Sequence, residues 1–229
     1  MTTLLLLLAV LLTSALSGIL GMGGGFILAG VLALLIPLSS AFLIHACAQF
    51  TANSHRAFLH RKAINWSITK HYIIGMVLVV LVFFYWQVTI DKSVFYLLLG
   101  AIALTSHFLP KNLTLDATIP SHAVASGVLV TALHLFVGVA GPLLDVFYQK
   151  SALNRFQIVA TKAMTQTLGH SVRIGFYATV YQTHWQELSI APWVFICVSV
   201  VAMGGTYLGS KFLRRVDEIV VDMEQESLR

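Results

Sequence analysis

Acidic residues are scarce in this sequence: nine Asp and Glu stand against fourteen Lys and Arg, and charged residues make up only 10% of 229 positions. Ordinary soluble domains carry about a quarter of their residues as charges, so this shortage excludes a conventional water-soluble fold. Cysteine is sparser still. Cys47 and Cys197 both lie inside apolar runs, which leaves neither a disulfide framework nor a CxxC metal site. HExxH, paired aspartates and a serine nucleophile motif are missing too, so nothing points to an intramembrane enzyme. The net charge of +5 is not gathered into a basic patch interleaved with aromatics, and nucleic acid is therefore not expected as a partner. No motif calls for a cofactor.

Apolar sequence is abundant instead, at 58% of residues and a mean hydropathy of +0.85. It falls into runs at 3–20, 24–38, 41–59, 71–88, 93–109, 121–137, 143–148, 156–180 and 190–208. Several approach the roughly 20 residues that cross a bilayer as a helix, and none shows the alternation of a membrane barrel. The fold class is all-α: a polytopic, multi-pass helical membrane protein with one transmembrane domain over residues 1–229. The first run lacks a cationic leader and the apolar pattern resumes after it, so it reads as a membrane helix rather than a removable signal. Trp66, Trp86, Trp185 and Trp193 fit an aromatic belt, and His55, His60 and His71 flank a basic loop as interfacial residues.

The run Ser17 to Gly30, "SGILGMGGGFILAG", is at odds with this pattern. Each interior glycine costs a helix about 1 kcal/mol relative to alanine, so Gly21, Gly23, Gly24 and Gly25 predict a break. Broken backbone at membrane depth survives only when buried in protein or facing a wet cavity. A turn of a broken-helix hairpin meets that condition, with the helix starting near Gly24 aiming N–H groups at the cavity.

A second copy follows. Shifting the sequence by 117 residues lays Gly21 on Gly138, Gly24 on Gly141, Gln49 on Gln166, Ser54 on Ser171 and Arg56 on Arg173, with His45 on Lys162 and Asn53 on His170. The chain is read as two inverted repeats, 1–112 and a shortened 118–213, each with a glycine-tipped hairpin, followed by a polar cytoplasmic tail over 214–229. Pro142 suits the first turn of the helix after the second tip. Orientation follows from cations: Arg61, Lys62, Lys70, Lys111, Lys211, Arg214 and Arg215 mark cytoplasmic loops and leave the amino terminus outside. "GGTYLG" at Gly204 to Gly209 reads as small residues for close helix packing.

Each long segment after a glycine break carries a polar stripe. His45, Gln49, Asn53 and Arg56 fall within about 80° of one another at 100° per residue, and Lys162, Gln166, His170 and Arg173 repeat the pattern. Buried charges in a membrane cost at least about 2.5 to 3.5 kcal/mol near its centre, so such stripes face a cavity. Cations without facing carboxylates select an anion, and Arg offers an oxyanion a planar fork. The candidate binding residues are Gly23, Gly24, Gly25, Gly141 and the eight stripe residues. Lys162 is expected to give the main fixed charge, unless Asp145 neutralises it.

"GILGMGGGFIL", the polar helix after it and the degenerate second copy resemble the sulfite exporter TauE/SafE family, also called the 4-toluene sulfonate uptake permease family. The resemblance covers most of the chain and implies a transporter of small sulfur-containing anions, such as sulfite, sulfoacetate or other organosulfonates, across a bacterial inner membrane. This copy departs from the pattern at "GVAGP" and in lacking an apolar helix after Leu213. The reading is a secondary transporter working by alternating access, with proton coupling through His45 or His170 and a homodimer both compatible with it. A metal-ion permease using the nine histidines is the rival, and it lacks carboxylate or sulfur ligands on the stripes.

Overall fold

A computed structural model describes residues 2–20, 23–87, 90–108, 115–180 and 191–227. Among the described residues the chain forms nine α-helices and one 3-10 turn: α1 Thr2–Leu20, α2 Gly24–Leu35, α3 Leu38–Leu59, the turn Arg61–Ala63, α4 Trp66–Trp86, α5 Lys92–Phe108, α6 Pro120–Phe136, α7 Gly141–Tyr148, α8 Arg155–Val180 and α9 Trp193–Ser227. The expected all-α, multi-pass architecture is present. Within α1, α4 and α9, the stretches Thr2–Ile19, Trp66–Trp86 and Trp193–Phe212 are long and apolar enough to cross a membrane. Gly21, Lys111 and Trp185, to which the sequence assigns a tip, a loop and a belt position, lie outside the described residues.

Local chemistry sets the helix ends. Gly23 holds φ 88° just before α2, a left-handed conformation that costs a side-chain-bearing residue dearly. Ile36 is extended because Pro37 follows it, and that proline opens α3. The Asn65 side chain accepts from Ile68 N–H at 3.2 Å to cap α4. Asn154 and Gln157 exchange side-chain and backbone hydrogen bonds of 3.0 and 3.1 Å at the start of α8, a reciprocal cap. Past Gly209 no glycine or proline interrupts α9, so the helix runs on through Ser227, into the stretch expected as a polar tail.

The two polar helices α3 and α8 pack against each other at the centre, while α1 lies along α9 and α4 along α6; α3 also meets α9 as α4 meets α8. Between membrane helices the association rests on close packing rather than on water exclusion, and glycine provides it here. A Cβ on Gly209 would run into the Ala15 carbonyl of α1, one on Gly205 into Leu11 O, and one on Gly75 of α4 into Val124 O of α6. Apolar side chains that point away from these contacts, such as Leu78, Leu81 and Ile196, are exposed on the outer surface. Trp66, Trp86 and Trp193 are also exposed, and they stand at helix ends, where an aromatic belt sits.

Gly204 has open space where a Cβ would go, so it is a control for its neighbour. Gly209→Val should force α1 and α9 apart at a cost of about 1 to 3 kcal/mol, whereas Gly204→Val should leave stability unchanged. Thermal unfolding of the two proteins in detergent measures the difference; equal midpoints would mean the α1–α9 seam does not carry the fold.

Candidate functional site

The two glycine breaks border one cavity of about 280 Å³. One wall is the first tip, with Gly23, Gly25 and Phe26, and the other is the second tip, from Gly138 to Pro142. The central helices contribute His45 and Gln49 from α3 and Gln166 and His170 from α8. Ser17 at the end of α1 and His134 near the end of α6 complete the polar lining, which among the described residues contains no acidic side chain.

Tight contact between tips and side chains explains the glycines. A Cβ on Gly25 would sit 2.7 Å from Gln49 Oε1, so only glycine lets that amide lie against the tip. A Cβ on Gly24 would strike the Thr13 carbonyl of α1. Gly138, at φ +83°, presses against the Arg173 guanidinium so closely that no side chain could stand between them. Gly141 differs: it has nothing within 4 Å of a Cβ position, and only its backbone borders the cavity.

Arg173 is fully buried. Its Cζ lies 4.6 Å from the centroid of the Phe42 ring and 5.6 Å from that of Tyr177, an arrangement in which aromatic faces help to hold a desolvated cation. The Tyr177 hydroxyl donates to Leu135 O at 2.8 Å, fixing that ring. The guanidinium Nη1 donates to His45 Nδ1 at 3.1 Å, and His45 Nε2 donates to Gly25 O at 2.8 Å. One imidazole thus bridges the cation of the second half to the glycine tip of the first. His170 packs edge-on against His45 at 5.8 Å between ring centroids, and His134 lies 4.7 Å from His170.

The remaining stripe residues stand back from the cavity. Asn53 donates to Gln49 O at 2.9 Å, and Arg56 Nη2 donates to Ser17 O at 3.0 Å, bracing the end of α1. Lys162 forms an ion pair with Asp145 that ties α8 to α7. Of the residues the sequence singles out, the structure therefore gathers Gly23, Gly25, His45, Gln49, Gly141, Gln166 and His170 around the cavity. Gly24, Asn53, Arg56, Lys162 and Arg173 lie outside the lining, Arg173 directly behind His45 and Gly138. Sequence reasoning passed over Ser17 and His134. The signal was available, because the same 117-residue shift lays one on the other, four positions before the Gly21/Gly138 pair.

These features define a multi-pass helical membrane protein with a polar cavity between two broken segments. Residues 6–222 match the family described as Sulfite exporter TauE/SafE, and the chain belongs to that family of membrane transporters. No curated protein and no solved structure matches it.

Unequal crowding separates the tips experimentally. Gly138→Ala meets both the left-handed penalty of roughly 1 to 2 kcal/mol and the Arg173 guanidinium, and should reduce transport activity in membrane vesicles by more than about tenfold. Gly141→Ala should retain parental transport. The reverse order of activities would show that the second tip works through Gly141 rather than through its seat on Arg173.

Proposed function

We propose that the protein is a secondary transporter of the bacterial inner membrane that carries small sulfur-containing oxyanions, sulfite, sulfoacetate or other organosulfonates, by alternating access between the two glycine tips. The observation that carries this reading is the cavity's donor set. Among the described residues, Gln49 Nε2 is buried with no hydrogen-bond partner, and Gln166 joins it across a lining without carboxylates, with a guanidinium behind the wall. A buried donor without a partner costs about 1 to 3 kcal/mol, a cost that an anion bound there removes. The division into repeats 1–112 and 118–213 is supported by packing that exchanges under the repeat, and the cations Lys211, Arg214 and Arg215 support their inverted orientation and a cytoplasmic place for residues 214–229. If α1 corresponds to α6 and α4 to α9, then α1 on α9 becomes α6 on α4, α3 on α9 becomes α8 on α4, and α3 on α8 maps to itself.

A metal-ion permease fits these side chains poorly. Both nitrogens of His45 are engaged, and among the described residues no three His, Cys, Asp or Glu side chains converge as metal ligands. Purified protein should gain thermal stability with sulfite and organosulfonates, by about 2.7 kcal/mol at a hundred times Kd, and less with simple carboxylates. Gln49→Met removes one donor to a charged ligand, worth about 1.5 to 3 kcal/mol, and should weaken anion affinity roughly ten- to a hundredfold. Stabilisation by divalent cations and by none of the anions would reverse the assignment.

Lys162 then acts on the site through Asp145, by fixing α7 beneath the second tip. Lys162→Met alone leaves a half-buried carboxylate unpaired, at about 1 to 3 kcal/mol, and should unfold at lower temperature. Lys162→Met with Asp145→Asn should recover most of the stability and the anion affinity. A double variant that is stable but no longer binds anion would place Lys162 on the ligand instead.

A further inference from the structure

The lining of the cavity divides by element. Its polar side chains come from the two central helices and from the ends of α1 and α6, and they adjoin one another. The His170 ring lies next to His45 at 5.8 Å and next to His134 at 4.7 Å between centroids. The Gln49 amide lies against Gly25, whose carbonyl accepts from His45. Gln166 stands one turn before His170 on α8. By contrast, α2, α5 and the second tip bring no polar side chain to the cavity among the described residues.

What these elements bring is hydrocarbon: Phe26 and Ile27 from α2, Ala103 from α5, and Val139 and Pro142 at the second tip. Phe26 and Val139 share one apolar cluster with Phe95, Leu99 and Ile102 of α5, and α5 packs on both α2 and α7. Ile27 is 46% exposed and Ala103 is exposed too, so this wall continues to the surface of the bundle. A ligand held by Gln49 and Gln166 therefore meets carbon on α2, α5 and the second tip. An inorganic oxyanion of sulfur is polar all round, and sulfoacetate is charged at both ends. Either sets charge against Phe26 and Val139, where no side chain replaces the hydrogen bonds lost from water. A sulfonate with a hydrocarbon substituent carries its oxygens at one end and only C–H groups at the other.

We propose that the apolar wall of α2, α5 and the second tip seats the substituent of the ligand, so that the protein selects sulfonates with an uncharged hydrocarbon substituent over sulfite and over sulfoacetate. Ile27 and Ala103 are the specificity-determining side chains of this wall. The inference rests on the anion-transport reading and narrows its ligand class. The two glutamines serve every ligand of that class alike; the wall tells one from another.

Titration calorimetry of the purified full-length protein with sulfite, sulfoacetate, methanesulfonate, ethanesulfonate and propanesulfonate reads the selection directly. Affinity should rise roughly threefold to fourfold for each added methylene, so that propanesulfonate binds about tenfold or more tighter than methanesulfonate, with sulfite and sulfoacetate weakest. Gln49→Met should weaken every member of the series and keep its slope. Ile27→Thr combined with Ala103→Ser places hydroxyls on the wall at two exposed positions, and should cut the ratio of propanesulfonate to methanesulfonate affinity to about a third. The series on the parent protein decides the matter even if a variant fails to fold. A flat series, or sulfite or sulfoacetate bound as tightly as propanesulfonate, would overturn this inference and leave the transporter reading standing. So would an unchanged ratio in the double variant, since the substituent would then sit elsewhere. Binding of none of these anions would overturn both.

Discussion

A cation with no access to water has to be held by the protein itself, and the burial of Arg173 sets the geometry of everything around it. The guanidinium is stacked on Phe42 and Tyr177 and bonded to His45. Desolvating such a group costs several kcal/mol unless its donors and its charge are met, so each partner is constrained in turn. Tyr177 is fixed by Leu135 O, and His45 by Gly25 O. Those two carbonyls belong to the approaches to the two glycine breaks. A single buried charge therefore touches α3, α8 and the approaches to both tips.

Seen from this centre, the glycines are there to admit polar side chains more than to let helices touch. Gly25 leaves room for the Gln49 amide, Gly138 for the Arg173 guanidinium and Gly169 for the His134 ring. Elsewhere the same residue does the ordinary work of membrane packing, as at Gly75 and Gly209, where the neighbour is backbone. The distinction matters for energetics. A helix seam can relax by sliding, but a side chain at Gly138 would displace the Arg173 guanidinium that is bonded to His45.

Much of this was legible in the sequence, and what was not has a common cause. Helix positions followed from apolar runs, the breaks from glycine, and the stripe on α3 from spacing, because each depends on residues close together in the chain. Which stripe residues reach the cavity depends on neighbours far away in sequence. Arg56 and Arg173 occupy equivalent positions, yet one reaches Ser17 O within its own half and the other reaches across to His45. Lys162 lies on the right face but meets Asp145 from the short helix α7. His134 escaped notice because it lies before the break rather than on a stripe; only the repeat register, laid against Ser17, singles it out. The helical tail escaped because polarity signals exposure to water and says nothing of whether the backbone stays helical.

On the proposed division into repeats, some tasks fall to both halves and others to one, and the division has a physical logic. Gln49 and Gln166 both line the cavity, and each arginine stands beside a glycine break, Arg56 bonded to Ser17 O and Arg173 packed against Gly138. Uncharged donors and a brace serve equally well in either half. The three cavity histidines come from three different repeat positions, opposite Lys162, Ser17 and Asn53, and not one is paired with another histidine. A duplicated imidazole at each place would put more titratable groups around one guanidinium, where every added proton repels the others in a medium of low dielectric. Divergence to lysine, serine and asparagine leaves a single ring locked as a bridge and two adjacent rings with idle nitrogens. The equivalence of the halves is thus kept where the side chain holds backbone or donates a neutral hydrogen bond, and lost where it can change charge.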